Sequence, residues 1–228
     1  MVVALGLTLD GRKVPVGFVQ AGTENTKVLE TFLRELLGRG LEIDAGLLVI
    51  IDGGKGLRAA VKRVFQKKAL VQRCQWHKRE NVVGYLPKGE QAAMRRRLQR
   101  AYQRPTYREA KEQLETILKE LRKRNLSAAR SLQEGLEETL TLHCLGVFAQ
   151  LGYSLKTTNC IESIMSQVER HCAKVSCWKN SSQKERWLAA SLLDVEVRLH
   201  RVHGHNHLPR LREALQKELG ITEHKEAA

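Results

Sequence analysis

Two carboxylates stand in positions where an acid can do chemistry. Asp52 ends the apolar run Leu47-Leu48-Val49-Ile50-Ile51 and opens the turn Gly53-Gly54-Lys55-Gly56. An acid at the carboxyl end of a buried strand lies where open α/β sheets bind ligands. The glycines allow close backbone approach, and Lys55 can meet a phosphate at the start of the next helix. The simpler alternative is that Asp52 only caps that helix. The turn lacks the G-x-x-x-x-G-K-[ST] spacing of a nucleoside-triphosphate loop, so that site is rejected. Glu162 falls in a first helical turn behind Asn159, where an acid also simply favours the helix dipole. Asp10 belongs to an Asp-Gly hairpin turn and is assigned nothing further.

Other residue types are weaker signals. Cys74-x2-His77 is half of a zinc-site spacing, and a full site needs two more ligands. His143-Cys144, His171-Cys172 and the histidines at 203, 205 and 207 form no clean second pair, so zinc is not expected. Arg95, Arg96, Arg97, Arg100 and Arg104 cluster in one stretch, and Lys174, Lys179, Lys184 and Arg186 in another. Such clusters suit a phosphate backbone, whereas single members are ordinary solvated helix residues. Trp187 sits on an apolar stripe and is expected in the core. Trp178, among lysines and serines, is the better candidate for stacking on a base; Trp76 is open to either role.

Composition narrows the partner. The chain has 228 residues, 42% apolar and 28% charged, as in an ordinary soluble globular protein. Its net charge of +14 points to a polyanion, most commonly nucleic acid. No run approaches the ~18–20 apolar residues that span a bilayer, and the N-terminus lacks the basic region of a signal peptide. A cytoplasmic location is therefore expected, with no membrane partner. Five cysteines are an odd number, and a disulfide framework is not expected.

The elements that must position these groups follow from periodicity. Residues 2–9 and 14–20 read as a hairpin, with Pro15 weakening the second strand. A helical stripe covers 25–37, with Asn25 or Thr26 as cap. Residues 47–51 read as a strand buried on both faces, followed by a helix and a short strand near 70–72. From residue 79 the pattern is helical: 90–103, 106–124, 126–140, 159–170, 181–200 and 208–218. Thr157-Thr158-Asn159 reads as a cap cluster. The simplest assembly is one sheet of four or five strands, interrupted by a helical region before its last helices arrive.

The segments around Asp52 and Glu162 resemble mutator-type bacterial insertion-sequence transposases. The similar runs are LVIIDGGKGL (48–57), VQRCQWHKREN (71–81), TTNCIES (157–163) and WKNSSQKERWLAASLLDVEVRLHRVHGHNHL (178–208). The resemblance extends over nearly the whole chain. It implies an α/β, ribonuclease-H-like mixed sheet with an all-α insertion between the last strand and the helix bearing the catalytic glutamate. The implied division is 1–78 for the first part of the core, 79–155 for the insertion and 156–228 for the closing helices.

The same resemblance implies a DDE active site using two Mg²⁺ ions. Asp52 matches the second catalytic aspartate, Glu162 the catalytic glutamate, and Cys74 with His77 the family's C-x2-H signature. Lys55, Arg95, Arg96, Arg97, Arg100, Trp178, Lys179, Lys184 and Arg186 are candidate DNA contacts. The first catalytic aspartate has no match and is expected on a strand upstream of the hairpin, so a truncated gene product, a fragment or a mis-assigned start is expected, with the chain as given inactive alone. The implied function is metal-dependent cleavage and strand transfer at element ends. Implied partners are terminal inverted repeats, target DNA and further copies of the protein, bound at the nucleoid. The alternative is a catalytically inactive remnant that binds DNA and inhibits an intact transposase. A ribonuclease-H-like nuclease outside transposition is a third, weaker option.

Overall fold

The computed structural model describes every residue except 22–24, 174, 176, 178 and 222–228. The chain opens with an antiparallel hairpin, β1 (Val2–Leu7) and β2 (Lys13–Val19). Its turn closes with the Thr8 N–H donating to the Arg12 carbonyl at 3.0 Å. Gly11 sits there at φ +87°, a conformation glycine adopts without a Cβ penalty. Leu5 faces Pro15 while Ala4 faces Gly17, so the register skips Val16. Pro15 has no N–H to give the ladder, and a bulge absorbs the defect.

Helix α1 (Thr26–Gly38) begins where the Asn25 side chain accepts from the Lys27 N–H. It buries Leu29, Phe32, Leu33 and Leu36, the i, i+3, i+4, i+7 stripe of an amphipathic helix. Strand β3 (Leu47–Ile51), helix α2 (Lys55–Phe65) and strand β4 (Ala69–Arg73) form a crossover unit. β3 and β4 run parallel, with Leu47 opposite Ala69 and Ile51 opposite Arg73.

A helical stretch follows: α3 (Gln75–Gly84), α4 (Lys88–Tyr102), α5 (Tyr107–Arg124), α6 (Leu126–Gln133) and α7 (Leu136–Thr139). These five share one closed apolar cluster that includes Val82, Leu98, Leu114, Leu132 and Leu140. The single helix expected over 126–140 is instead broken at Gly135, which stands at φ +67°. A spacing of Leu132, Leu136 and Leu140 buries the same side chains whether or not the helix is continuous, so periodicity does not reveal the break.

The chain then returns to the strands through α8 (Thr141–Cys144), α9 (Phe148–Leu155), α10 (Asn159–Cys172) and α11 (Ser181–Glu196). A short 3-10 turn, His205–His207, leads into α12 (Leu208–Leu219). No helix among the described residues is long and apolar enough to cross a membrane.

Strand alternation assigns the layers. Val2 and Ala4 of β1, with Leu47 and Val49 of β3, meet the cluster built on α1 and α2. Leu48 and Ile50 meet the opposite cluster of α8, α9 and α12, and Val3 and Leu5 meet α10 and α11. Both strand pairs thus lie in one layer between helices. They are nevertheless two separate two-stranded sheets, not the single sheet of four or five strands expected. Among the described residues β1 pairs only with β2 and β3 only with β4, so each keeps one open edge. The open edges explain a second departure. Residues 47–51 are packed on both faces as expected, yet only Ile51 is fully buried, and all of β1 is partly exposed.

Candidate functional site

Asp52 follows the last residue of β3 and is exposed. Its Oδ1 accepts from the Gly54 N–H at 3.0 Å, a bond within the turn; the N-cap of α2 is Gly54, which has no side-chain cap bond. Gly53 stands at φ +113°, which turns the chain away from the strand. The turn is gripped from beneath by Arg73, the last residue of β4, whose side chain is 2% exposed. Arg73 Nη2 donates to the Gly53 carbonyl at 3.1 Å, and Nη1 donates to the Glu134 carbonyl at 3.0 Å. The guanidinium also pairs with the Glu134 and Glu138 carboxylates at 3.3 and 3.6 Å. It therefore ties the Asp52 turn to the junction of α6 and α7. A Cβ on Gly135 would fall 2.7 Å from Arg73 Nη1, which adds a steric demand for glycine at the helix break. Lys78 lies beside this group, donating to the Ser131 and Glu134 carbonyls at 2.8 and 2.6 Å. Burial, reinforced by the positive charge of Arg73, pulls the Lys78 pKa down to about 8.

Glu162 arrives from the far side of the helical stretch. Gln75, the first residue of α3, donates its N–H to the Lys156 carbonyl at 2.9 Å, which docks the segment entering α10 onto the end of β4. Thr158 then acts as a hub. Its hydroxyl donates to Glu162 Oε1 at 2.7 Å and lies 3.3 Å from His77 Nδ1 and 3.5 Å from Cys74 Sγ. His77 Nδ1 is 3.2 Å from Cys74 Sγ and 3.9 Å from Glu162 Oε1. Cys74 itself is fully buried, and its N–H donates to the Ile51 carbonyl at 2.7 Å. The structure thus gathers Cys74, His77, Thr158 and Glu162 into one contact group, and Cys74 bonds the strand residue just before Asp52. The expected cap cluster is rearranged: the Thr158 side chain makes no cap bond because its hydroxyl is committed to Glu162.

The other cysteine and histidine candidates are elsewhere. Cys144 is exposed. His143 is buried, stacked on Phe148 with ring centroids 3.6 Å apart, and its Nε2 lies 3.2 Å from the Arg104 carbonyl. Burial pushes its pKa down to about 4, against the opposing pull of backbone carbonyls. His171 lies 3.2 Å from Asp194, with Cys172 half-buried beside it, and His205 packs over Gly11. His203 and His207 are exposed. Asp10 pairs with Arg12 and Arg201 at the hairpin turn, at 3.0 and 3.3 Å. Among the described residues no three His, Cys, Asp or Glu side chains form a group able to hold a metal ion.

The basic candidates divide into paired and unpaired. Arg95 pairs with Glu80 and Arg97 with Glu120, both at 2.8 Å, which a phosphate would have to displace. Arg96 and Arg100, four residues apart on α4, are exposed and carry no ion pair among the described residues. Lys55, Lys179, Lys184 and Arg186 are also exposed. Trp178 and Lys174 lie outside the described residues. Trp187 is 40% exposed rather than in the core: it lies at the edge of the α11 stripe of Leu188, Ser191, Leu192 and Val195. Trp76 is exposed and meets His77 edge-on at 4.8 Å. Reading the sequence missed Arg73, Glu134 and Thr158. Thr158 left a trace there, one helical turn before Glu162, and Arg73 lay unremarked in the run 71–81.

The family described as "Transposase, Mutator family" matches residues 1–200. The transposase for insertion sequence element IS905 of Lactococcus lactis subsp. lactis (strain IL1403) is 28% identical over 89% of this chain and 51% of its own length. The transposase for IS256 in transposon Tn4001 of Staphylococcus aureus is 27% identical over 85% of this chain and 48% of its own. The transposase for IST2 of Acidithiobacillus ferrooxidans is 30% identical over 80% of this chain and 60% of its own. The chain spans about half the length of the relatives it matches first. With a family match covering most of its length, the chain belongs to the mutator family of transposases.

Proposed function

We propose that this chain is the DNA-cleaving and strand-joining core of an insertion-sequence transposase, with Asp52 and Glu162 as two of its metal-binding acids. One observation carries it. Glu162 is bound through Thr158 to Cys74 and His77, and Cys74 is hydrogen-bonded to the strand end that bears Asp52. A ribonuclease-H-like core would need the two acids at a shared strand end, and this chain of contacts links the segments that carry them.

The two carboxylates fit a hard cation. Asp52 commits one oxygen to the Gly54 N–H and Glu162 one to the Thr158 hydroxyl, and both side chains are exposed. Exposed oxygen donors of this kind suit Mg²⁺. When bound, Mg²⁺ supplies Lewis acidity to a scissile phosphate and its attacking oxygen. Thr158 and His77 orient Glu162, Arg73 holds the Asp52 turn, and Lys55, Arg96, Arg100, Lys179, Lys184 and Arg186 meet DNA phosphates. The family's third acid is the aspartate without a match here. A strand carrying it could pair with the open edges of β1 and β3.

The split sheet and the pair of acids also favour a second reading, a DNA-binding unit without catalysis of its own. A gel shift and a nicking assay on a duplex carrying an inverted-repeat end distinguish the two. The expected result for this chain alone is salt-sensitive binding with Mg²⁺-dependent nicking near background. Strong nicking that disappears in Asp52→Asn would show that no third acid is needed. Absence of duplex binding would overturn both.

A further inference from the structure

The outer face of α2 is a basic groove that begins beside the acidic rim. Lys55, Arg58, Lys62 and Arg63, with Ala59 and Glu134, line a depression of about 330 Å³. Lys55, Arg58 and Lys62 are spaced by three and then four residues, so they share one side of the helix. At about 1.5 Å rise per residue, the row from Lys55 to Lys62 is roughly 10 Å long. Phosphates along one strand of a duplex advance by about 3.4 Å along the axis but also wind around it, so neighbours lie roughly 7 Å apart and the row meets about two of them.

The charge of the groove is set by what lies beneath it. Its one acid, Glu134, is held from below by Arg73 and Lys78 at 3.3 and 3.6 Å. Burial works to raise the Glu134 pKa, but Arg73, Lys78 and Lys55 together draw it below the usual range. Glu134 therefore stays an anion already matched by buried cations. Of the lining cations, Arg58 pairs with Glu138 and Arg63 with Glu30. Lys62 has no ion pair among the described residues, and Lys55 has only the nearby charge of Glu134. The groove is walled on one side by the α6–α7 junction that Arg73 anchors, so it is a fixed cleft rather than a loose helix surface.

We infer that this groove binds the phosphate backbone of double-stranded DNA over about two phosphates, guiding the strand to or from the Asp52 turn. The inference rests on the transposase reading and adds a surface to it, since Arg58, Lys62 and Arg63 carry no motif. Fluorescence anisotropy of the 228-residue protein with a labelled duplex of arbitrary sequence, at several KCl concentrations, tests it. Each phosphate contact contributes about 0.9 to the slope of log affinity against log salt. Lys62→Ala and Lys55→Ala are each expected to flatten the slope by about 1, and the double variant by about 2. Lys119→Glu, an exposed charge change on α5, is the control and is expected to alter affinity less than Lys62→Ala. Thermal melting confirms that the variants fold. If the wild type binds and Lys62→Ala leaves the slope unchanged, or Lys119→Glu weakens binding as much, the groove is not the DNA track and the transposase reading survives. If the wild type does not bind duplex DNA at all, that reading falls and the groove with it.

Discussion

The helical stretch α3–α7 and the strand layer are built to different degrees of closure. In the helices, Leu98, Leu114 and Leu132 are wholly buried in one cluster. Several of their surface charges pair across helices: Arg95 with Glu80, Arg97 with Glu120, Arg124 with Glu90 and Lys111 with Glu137. Helix α5 even has a capping box, Thr106 with Glu109. In the strand layer, β1 and most of β3 are covered by helices above and below, yet stay partly exposed along open edges. Packing alone does not finish a sheet; a strand needs a neighbour in the hydrogen-bonding direction as well. Asp52 follows a strand of the open layer, and its turn is held by Arg73, which reaches into the closed helical stretch through Glu134 and Glu138.

The largest effect should come from a cavity in the closed cluster. Leu114→Ala is expected to cost about 3–4 kcal/mol in urea unfolding, within the range for buried leucines. Val49→Ala, in the open layer, should cost about 1 kcal/mol, because solvent already reaches that strand. Equal losses at the two sites would erase the distinction between a closed and an open region.

The sequence revealed elements better than it revealed assembly. The run 47–51 is β3 as expected, the helix expected over 106–124 is α5, and Glu162 lies in the first turn of its helix, because each depends on local periodicity or capping. The split of the layer into two sheets was not visible, since hydrophobic alternation reports which faces are covered and not which edges are paired. The break at Gly135 depends on Arg73, sixty-two positions earlier, filling the space a Cβ would need. The pairing of Arg95 and Arg97 depends on Glu80 and Glu120 from neighbouring helices, so a basic run that looks free in sequence is half neutralised in space. At the rim, the C-x2-H spacing pointed to Cys74 and His77 as a pair, but Thr158 emerged as their partner only once α10 was docked on α3.

A smaller effect is expected from His143, at the seam where α8 meets the helical stretch. Its ring titrates near 6.5 when unfolded and near 4 when buried. Between those values the unfolded chain binds more protons, so stability is fully present above about pH 6.5 and declines as pH falls toward 4. Lowering pH from 7 to 5 should remove about 1–2 kcal/mol through this residue. His143→Gln should flatten that part of the profile. An unchanged profile would mean that the seam admits solvent, making the boundary between closed and open regions less sharp.

The smallest expected effect is at Thr158, on the open side. Its hydroxyl contacts Glu162, His77 and Cys74, but Glu162 is about half exposed, with 48% of its side chain accessible. A carboxylate that water can solvate loses little when one donor is removed, and a typical hydrogen bond contributes about 0.5–1.5 kcal/mol. Thr158→Val should therefore lower unfolding stability by less than about 1 kcal/mol, and Thr158→Ser should restore it. A loss above about 2 kcal/mol would place this hydroxyl among the buried, obligatory bonds of the fold. The rim would then be as tightly constrained as the helical cluster, and the contrast between a finished scaffold and an adaptable acidic edge would fail at the residue that joins them.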